Sequence, residues 1–247
     1  MSRKRADIVL VERGLFESRA KARAAIEADG VKADGRAVGK ASDLVEETAE
    51  IVAEAAHPYV GRGALKLAHA LALWPVAVEG AVVLDVGAST GGFSEVCLRA
   101  GAARVYAVDV GRGQLHPTIA ADERVVELSG VDVRDLTAAL VARAPDLIVS
   151  DVSFISLEKA LPAALDLAGP GADLICLVKP QFEVGRGNIG KGGVVKDAAA
   201  RELALASVAA FLERSGWTVV ASAESPITGG EGNVEYLLHA RKRPPTP

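Results

Sequence analysis

From residue 81 onward the sequence repeats one pattern, a short apolar run followed by a helical stretch, and that pattern limits the fold more than any other feature. The runs are "AVVLDVG", "ARVYAVDV", the weaker "RVVELSG", "APDLIVSDV", "GADLICLVKP" and "GWTVVASAES", with "VEYLLHARKR" closing the chain. "ADLICLV" is apolar throughout rather than alternating, as expected of a strand covered on both faces. "GGFSEVCLRAG", "SLEKALPAALDLAG" and a long helix over about 197–215 lie between strands. Strands alternating with helices build an α/β domain with a doubly wound, largely parallel sheet. The closing run follows its predecessor through a short loop with no crossover helix, so it must pair antiparallel. Six parallel strands and one antiparallel strand are predicted.

One of these strands ends oddly. "LICLV" runs into Lys179, and lysine is rarely fully buried unless something pairs with it. Pro180 stops the strand and biases Lys179 itself toward an extended backbone. In an open parallel sheet ligands bind beyond the carboxyl ends of the strands. Asp151 follows the fourth strand at that edge. Glu235 opens the closing strand, which runs the other way and so starts at the same edge. Lys66 sits early in "GRGALKLAHAL", a helix preceding and antiparallel to the first strand. Four separate segments thus bring Lys66, Asp151, Lys179 and Glu235 to one rim. Taken singly, each has a plain structural reading: a surface helix residue, a helix cap, a snorkelling strand end and an outward-facing strand residue.

The turn "LDVGASTGGF" (84–93) admits three readings. A dinucleotide fingerprint needs a second glycine where Ser89 stands, and Asp85 is a poor neighbour for a pyrophosphate. A nucleophile elbow fits Gly87-Ala88-Ser89-Thr90-Gly91 literally. That elbow normally follows several strands, not the domain's first, and its partner would have to be His116 or His239, neither in a supporting context. The third reading is S-adenosylmethionine, whose sulfonium favours an acidic surround and which carries no phosphate for that surround to repel. Asp85 would face its ammonium group, Gly87, Ala88, Ser89, Thr90, Gly91, Gly92 and Phe93 would lie along the methionine moiety, and Asp109 would accept the ribose hydroxyls. The third reading fits best. "GRGNIGKGG" (185–193) resembles a P-loop, but Gly192 stands where magnesium needs Ser or Thr. It reads as a mobile loop over the active edge, either with Arg186 and Lys191 as phosphate contacts or as a plain glycine-rich connection.

The first fifty residues differ in character. "ADIVLVERG" and "SRAKARAAIEADG" read as short helices, the second capped by Ser18, and "VKADGRAV" as a hairpin about Asp34-Gly35. Arg19 and Arg23, four apart, share a helix face from which guanidinium groups can fork onto phosphates. Residues 1–40 hold ten Lys and Arg against six Asp and Glu, although the whole chain of 247 residues has a net charge of −4. A basic head on an acidic body fits a polyanionic partner, and equally an ordinary solvated surface, and charge alone does not decide between them. The N-terminus has too short an apolar stretch for a signal peptide. Residues 68–86 are interrupted by His69, Pro75, Glu79 and Asp85, so no membrane span is predicted. Cys97 and Cys176 lack metal-ligand spacing and read as packed thiols of a soluble, cytoplasmic protein.

"ADIVLVERGLFESRAKARAAIEADGVKADGRAV" resembles the RNA-binding S-four (S4) domain, over about residues 3–52. Lys66, Asp151, Lys179 and Glu235 match the Lys-Asp-Lys-Glu tetrad of the FtsJ-like 2′-O-ribose methyltransferases, on the strand outline of a class I methyltransferase. With "YVGRGALKL", "DVGASTGGF", "VYAVDVGRGQL", "SDVSFISL", "LVKPQFEVGR" and "GNVEYL", nearly the whole chain resembles the TlyA family, which carries both a hemolysin label and an rRNA 2′-O-methyltransferase assignment. The resemblance implies an RNA-binding domain at 1–54, a linker at 55–60, a methyltransferase domain at 61–243 and a tail at 244–247. It implies S-adenosylmethionine as cofactor, no metal, and a cytidine of ribosomal RNA, free or in subunits, as substrate. Lys179 would orient the ribose hydroxyl and take its proton, Lys66 would steady the developing alkoxide, and Asp151 and Glu235 would fix the two ammonium groups. Arg3, Lys4, Arg5, Arg19, Arg23, Arg62, Arg186 and Lys191 would contact RNA. The chain departs from the family at "LSGVDVRDL", where relatives tend to carry an Asn-Val-Arg element, so a place for Asp132 near the adenine rests on position alone. "HPTIAADE" is also atypical. A pore-forming hemolysin would need an exposed apolar helix, and a non-catalytic RNA-binding protein would not need the tetrad.

Overall fold

A computed structural model describes residues 3–185, 187, 189, 190, 192–229 and 232–244, and the chain divides into two compact units, Met1–Pro58 and Tyr59–Pro247. Arg186 and Lys191, two of the predicted RNA contacts, lie outside the described residues.

The first unit contains β1 (Arg3–Arg5), α1 (Ala6–Glu12), α2 (Arg19–Glu27), β2 (Val31–Ala33), β3 (Arg36–Ala37), β4 (Leu44–Glu46) and β5 (Ile51–Ala53). Ser18 caps α2 by accepting the Lys21 N–H. Asp34 and Gly35 both take positive φ, the geometry of a tight two-residue hairpin, and join β2 to β3. β1 pairs with β4 and β2 with β5. These pairings were not foreseen, because strands of three residues are too short to show an alternation. Ala6, Val9, Leu10, Ala22, Ala25 and Ile26 close the core where the helices meet.

The basic residues of this unit are less free than the helix-face reading expects. Asp7 is buried, and Arg5 and Arg19 both bond its carboxylate, at 2.9 and 2.7 Å. The Arg5 hydrogen bond leads in holding Asp7 down at about 2. Arg3 pairs with Glu46, and Lys4 with Glu12 and Glu47. The Arg5 and Arg19 side chains remain about half exposed, and Arg23 is exposed, so guanidinium N–H groups still face solvent.

The second unit runs α3 (Ala64–Leu73), β6 (Val82–Val86), α4 (Gly92–Arg99), β7 (Arg104–Asp109), α5 (Pro117–Ala120), β8 (Val125–Ser129), β9 (Leu147–Ser150), α6 (Leu157–Ala160), α7 (Pro162–Leu167), β10 (Asp173–Val178), α8 (Pro180–Glu183), α9 (Ala198–Arg214), β11 (Trp217–Glu224) and β12 (Tyr236–Lys242). Its seven-stranded sheet has the order β11-β12-β10-β9-β6-β7-β8. Only β12 runs against the rest, pairing antiparallel with β10 and β11, as the missing crossover helix predicts. The strand order turns back between β6 and β9, and at such a switch point a crevice opens beyond the carboxyl ends.

Alternate residues of the central strands feed two cores. Leu84, Ile148, Leu174 and Leu238 point to one face with α7 and α9, while Val83, Leu147, Ile175 and Leu237 point to the other with α3 and α4. Residues 157–167, read from sequence as one helix, form two. Pro162 has no N–H to donate, and the chain restarts with it in the first turn of α7. Cys97 and Cys176 are buried free thiols.

Candidate active site

The turn from β6 into α4 forms one side of the crevice. Gly91, at φ +91°, precedes α4, and a Cβ there would meet Leu115 Cδ1 at 2.8 Å, so the turn requires glycine. Ser89 also holds a positive φ, and its N–H donates to Asp109 Oδ2 at 2.8 Å. Gly111 N–H donates to the other Asp109 oxygen at 2.7 Å, which fixes the carboxylate at the end of β7. A cavity of about 580 Å³ opens here, lined by Gly87, Ser89, Asp109, Asp132 and Arg134 together with the apolar Val110, Val131, Val133 and Ile155. Arg134 grips Asp132 through two hydrogen bonds of 2.9 and 2.6 Å and holds its carboxyl at about 2.

Asp85 stands apart from this group. It is fully buried, accepts from Ser94 Oγ at 2.6 Å, and borders neither this cavity nor the second cleft described below. Its Oδ1 has no partner among the described residues. Burial pushes its carboxyl up to about 7. With the folded value raised above the unfolded 3.8, the folded state holds the proton more tightly, so stability falls as pH rises across that interval. Asp85→Asn, which cannot ionise, is expected to gain melting temperature on wild type steadily from pH 4 to 7 and to gain no more above it. A constant difference across that range would count against the assignment.

The four rim residues meet in a second cleft of about 510 Å³. Lys66, in the first turn of α3, lies 2.5 Å from Glu235, just ahead of β12. Lys179, at the end of β10, lies 2.6 Å from Asp151 Oδ1, an ionic contact rather than a directed hydrogen bond, and donates to Ser153 Oγ at 2.8 Å. A carboxylate therefore matches each ammonium group, which offsets part of the cost of holding them away from water. Space for these groups depends on small neighbours, since a Cβ at Gly229 would overlap the Glu235 carboxylate. Arg62 is exposed at the cleft and donates to the Thr228 carbonyl at 3.2 Å. A smaller cavity of about 220 Å³ shares Gly87 and Ser89 with the first cleft, Lys179 with the second, and Asp151 and Ser153 with both.

Several residues here escaped the sequence reading. Ser153 and Phe154 follow Asp151 in a loop that shows no periodicity. Phe154 has φ +66°, is 91 % exposed, and lies 5.2 Å from the Phe182 ring between centroids. A bulky residue in the left-handed region is uncommon and carries local backbone strain. Asn233 is buried, donates to the Gly193 carbonyl and accepts from Val195 N–H, which anchors one end of the glycine-rich loop beside Glu235.

The nucleophile-elbow reading finds no histidine partner in position. His239 bonds Asp173 at 2.7 Å, at the start of β10 and therefore at the opposite sheet edge from Ser89. The His116 ring accepts from Thr118 N–H at the start of α5. Neither histidine serves a nucleophile elbow. Among the described residues no group of three His, Cys, Asp or Glu side chains could hold a metal ion, and no helix is long and apolar enough to cross a membrane.

Two family models match the chain, an FtsJ-like methyltransferase over residues 59–242 and an S4 domain over residues 4–51. A Mycobacterium tuberculosis protein named 16S/23S rRNA (cytidine-2′-O)-methyltransferase TlyA is 45 % identical over 97 % of this chain and 90 % of its own. A Brachyspira hyodysenteriae protein named Hemolysin A is 37 % identical over 95 % of this chain and 98 % of its own. A solved structure bearing a hemolysin name, from Streptococcus thermophilus, superposes with a TM-score of 0.78 at 38 % identity, covering 98 % of this chain and 90 % of that one.

Proposed function

We propose that this chain, which belongs to the FtsJ-like methyltransferase family and within it to the TlyA group, methylates the 2′-hydroxyl of a cytidine ribose in ribosomal RNA. The observation that carries the reading is the meeting of Lys66, Asp151, Lys179 and Glu235 in one cleft, with Asp151 also bordering the cavity of the glycine turn. The donor is S-adenosylmethionine, which supplies a methyl group already activated on a sulfonium.

The residues of the first cavity suit that donor. Asp109 gives it an acidic edge, which favours a cation, while Asp132 is neutralised by its pair with Arg134 on the same wall. Val110, Val131, Val133 and Ile155 offer an apolar slot for a planar base. Asp85 keeps an unpartnered oxygen within the same strand–turn segment, but its burial argues for bracing the turn through Ser94 rather than for the direct contact read from the sequence.

A ribose hydroxyl is a weak nucleophile and must be oriented and relieved of its proton. Lys179 takes that proton, held in place by Asp151. Lys66, held by Glu235, steadies the negative charge that develops on the ribose oxygen. Phe154, exposed at the cleft, offers a face on which an unstacked base can lie. Phe154→Ala is expected to lower kcat/KM about 5- to 150-fold, the worth of one base–aromatic stack, with cofactor affinity unchanged. An unchanged kcat/KM would remove Phe154 from the substrate site. The first unit binds structured RNA through Arg19, Arg23 and their neighbours, and ribosomes place the partner in the cytoplasm.

The test is transfer of label from S-adenosylmethionine to ribosomal subunits that lack the modification, followed by ribose mapping. Label on 2′-oxygens of cytidine supports the reading. Cofactor binding without transfer to any subunit or free rRNA would point to another RNA, and absence of cofactor binding would overturn the enzyme. A lytic protein has no need of the tetrad, so lysis that survives its removal would be a separate activity.

A further inference from the structure

We infer that Ser153 is a further catalytic residue, passing the proton of the ribose 2′-hydroxyl to Lys179. The inference rests on Lys179 as the final proton acceptor.

Three oxygens surround the Lys179 ammonium: Asp151 Oδ1 at 2.6 Å, Ser153 Oγ at 2.8 Å and the Asp151 carbonyl at 3.5 Å. The ammonium donates hydrogen bonds to the hydroxyl and the carbonyl, while the Asp151 carboxylate holds it by charge without a directed hydrogen bond. The carboxylate and the carbonyl can only accept. The hydroxyl alone can also donate. Ser153 is therefore the only one of the three neighbours able to give a proton to a neutral Lys179 amine.

Access favours the same route. The Lys179 side chain is 9 % exposed, whereas Ser153 is exposed and borders the cofactor cavity, the tetrad cleft and the smaller cavity alike. Among the described residues Ser153 Oγ makes no hydrogen bond other than the one from Lys179. Its loop is fixed on the far side, where the Glu183 carboxylate accepts the Leu157 N–H at 2.9 Å and ties the segment after Asp151 to the segment after Lys179. A serine so held presents one oxygen to the cleft and to the lysine at once.

The step balances. The ribose O2′–H bond breaks as a new Oγ–H bond forms, and the original Ser153 Oγ–H bond breaks as an Nζ–H bond forms. The electron pair left on O2′ bonds the methyl carbon supplied by the sulfonium donor, and the electrons of the broken C–S bond remain on sulfur. Lys179 ends as an ammonium, Ser153 is regenerated, and the positive charge has passed from donor to lysine.

Single-turnover methyl transfer to ribosomal subunits in mixtures of H2O and D2O tests the relay, with melting temperature and cofactor affinity measured beside it. Ser153→Ala is expected to slow transfer by up to about 10²- to 10⁴-fold at little change in KM for RNA. The wild-type rate should curve with deuterium fraction, as two protons in flight require, and the Ser153→Ala rate should be linear. Ser153→Thr, which keeps the hydroxyl, should restore the curvature and much of the rate. A Ser153→Ala rate equal to wild type, or a linear wild-type dependence, would overturn the relay. The second result needs no variant and so holds even if Ser153→Ala folds poorly. Full activity of Lys179→Ala would instead remove the premise, whatever Ser153 does.

Discussion

Lys179→Ala is expected to lower methyl transfer by about 10²- to 10⁴-fold, the range set by loss of a positioned proton acceptor, and to change cofactor affinity far less, since Lys179 is absent from the larger cavity and meets the glycine turn only in the smaller one. Alanine also leaves Asp151 without its cation, so some loss of stability accompanies the loss of rate. Lys179→Arg separates the two effects. Arginine keeps the positive charge beside Asp151 and Ser153 but stays protonated in a protein. It should therefore melt near wild type and still fail to transfer the methyl group. Substantial activity in the arginine variant would mean that Lys179 acts through charge and placement alone, and proton removal would have to be reassigned.

The parts of this protein legible in its sequence are those fixed by periodicity and topology. The apolar runs ending at Val86, Asp109, Ser150 and Val178 could only be interior strands. Once the last strand is known to reverse, the carboxyl edge collects Asp151, Lys179 and Glu235 without any knowledge of side-chain geometry. Local chemistry was legible where a single residue type decides it, as at Ser18 before α2 and Asp34-Gly35 between β2 and β3. The features that stayed hidden depend on tertiary placement. Nothing in "ADIVLVE" says that Asp7 lies in a core and binds two arginines from either side. Asp85 reads as a rim acid because it precedes a glycine turn, yet a strand covered on both faces carries it inside. Ser153 and Phe154 sit in a loop whose path is set by contacts to Lys179, Phe182 and the Glu183-bound backbone. The pairing within the tetrad, Lys66 with Glu235 and Lys179 with Asp151, likewise follows from spatial neighbours that sequence distance does not rank.

That pairing leads to the second large effect. The Lys66 and Glu235 side chains are 8 % and 2 % exposed and 2.5 Å apart. Removing one member of a buried ion pair strands the other charge away from water and costs about 3–5 kcal/mol, whereas replacing both by apolar residues of similar volume is often neutral or stabilising. Glu235→Leu is thus expected to destabilise the second unit by about 3–5 kcal/mol, and the double variant Lys66→Met/Glu235→Leu to recover most of it. Both tryptophans, Trp74 and Trp217, belong to that unit, so fluorescence during urea unfolding reports its stability separately from the RNA-binding unit. Methyl transfer should be lost in the single variants and stay lost in the double, because the folded apolar pair cannot steady charge on a ribose oxygen. Recovered stability without recovered activity would assign Lys66 and Glu235 to the chemistry. If activity returned together with stability, the pair would be only a structural brace for the start of α3 and the approach to β12, and charge stabilisation in the cleft would fall to Lys179 alone.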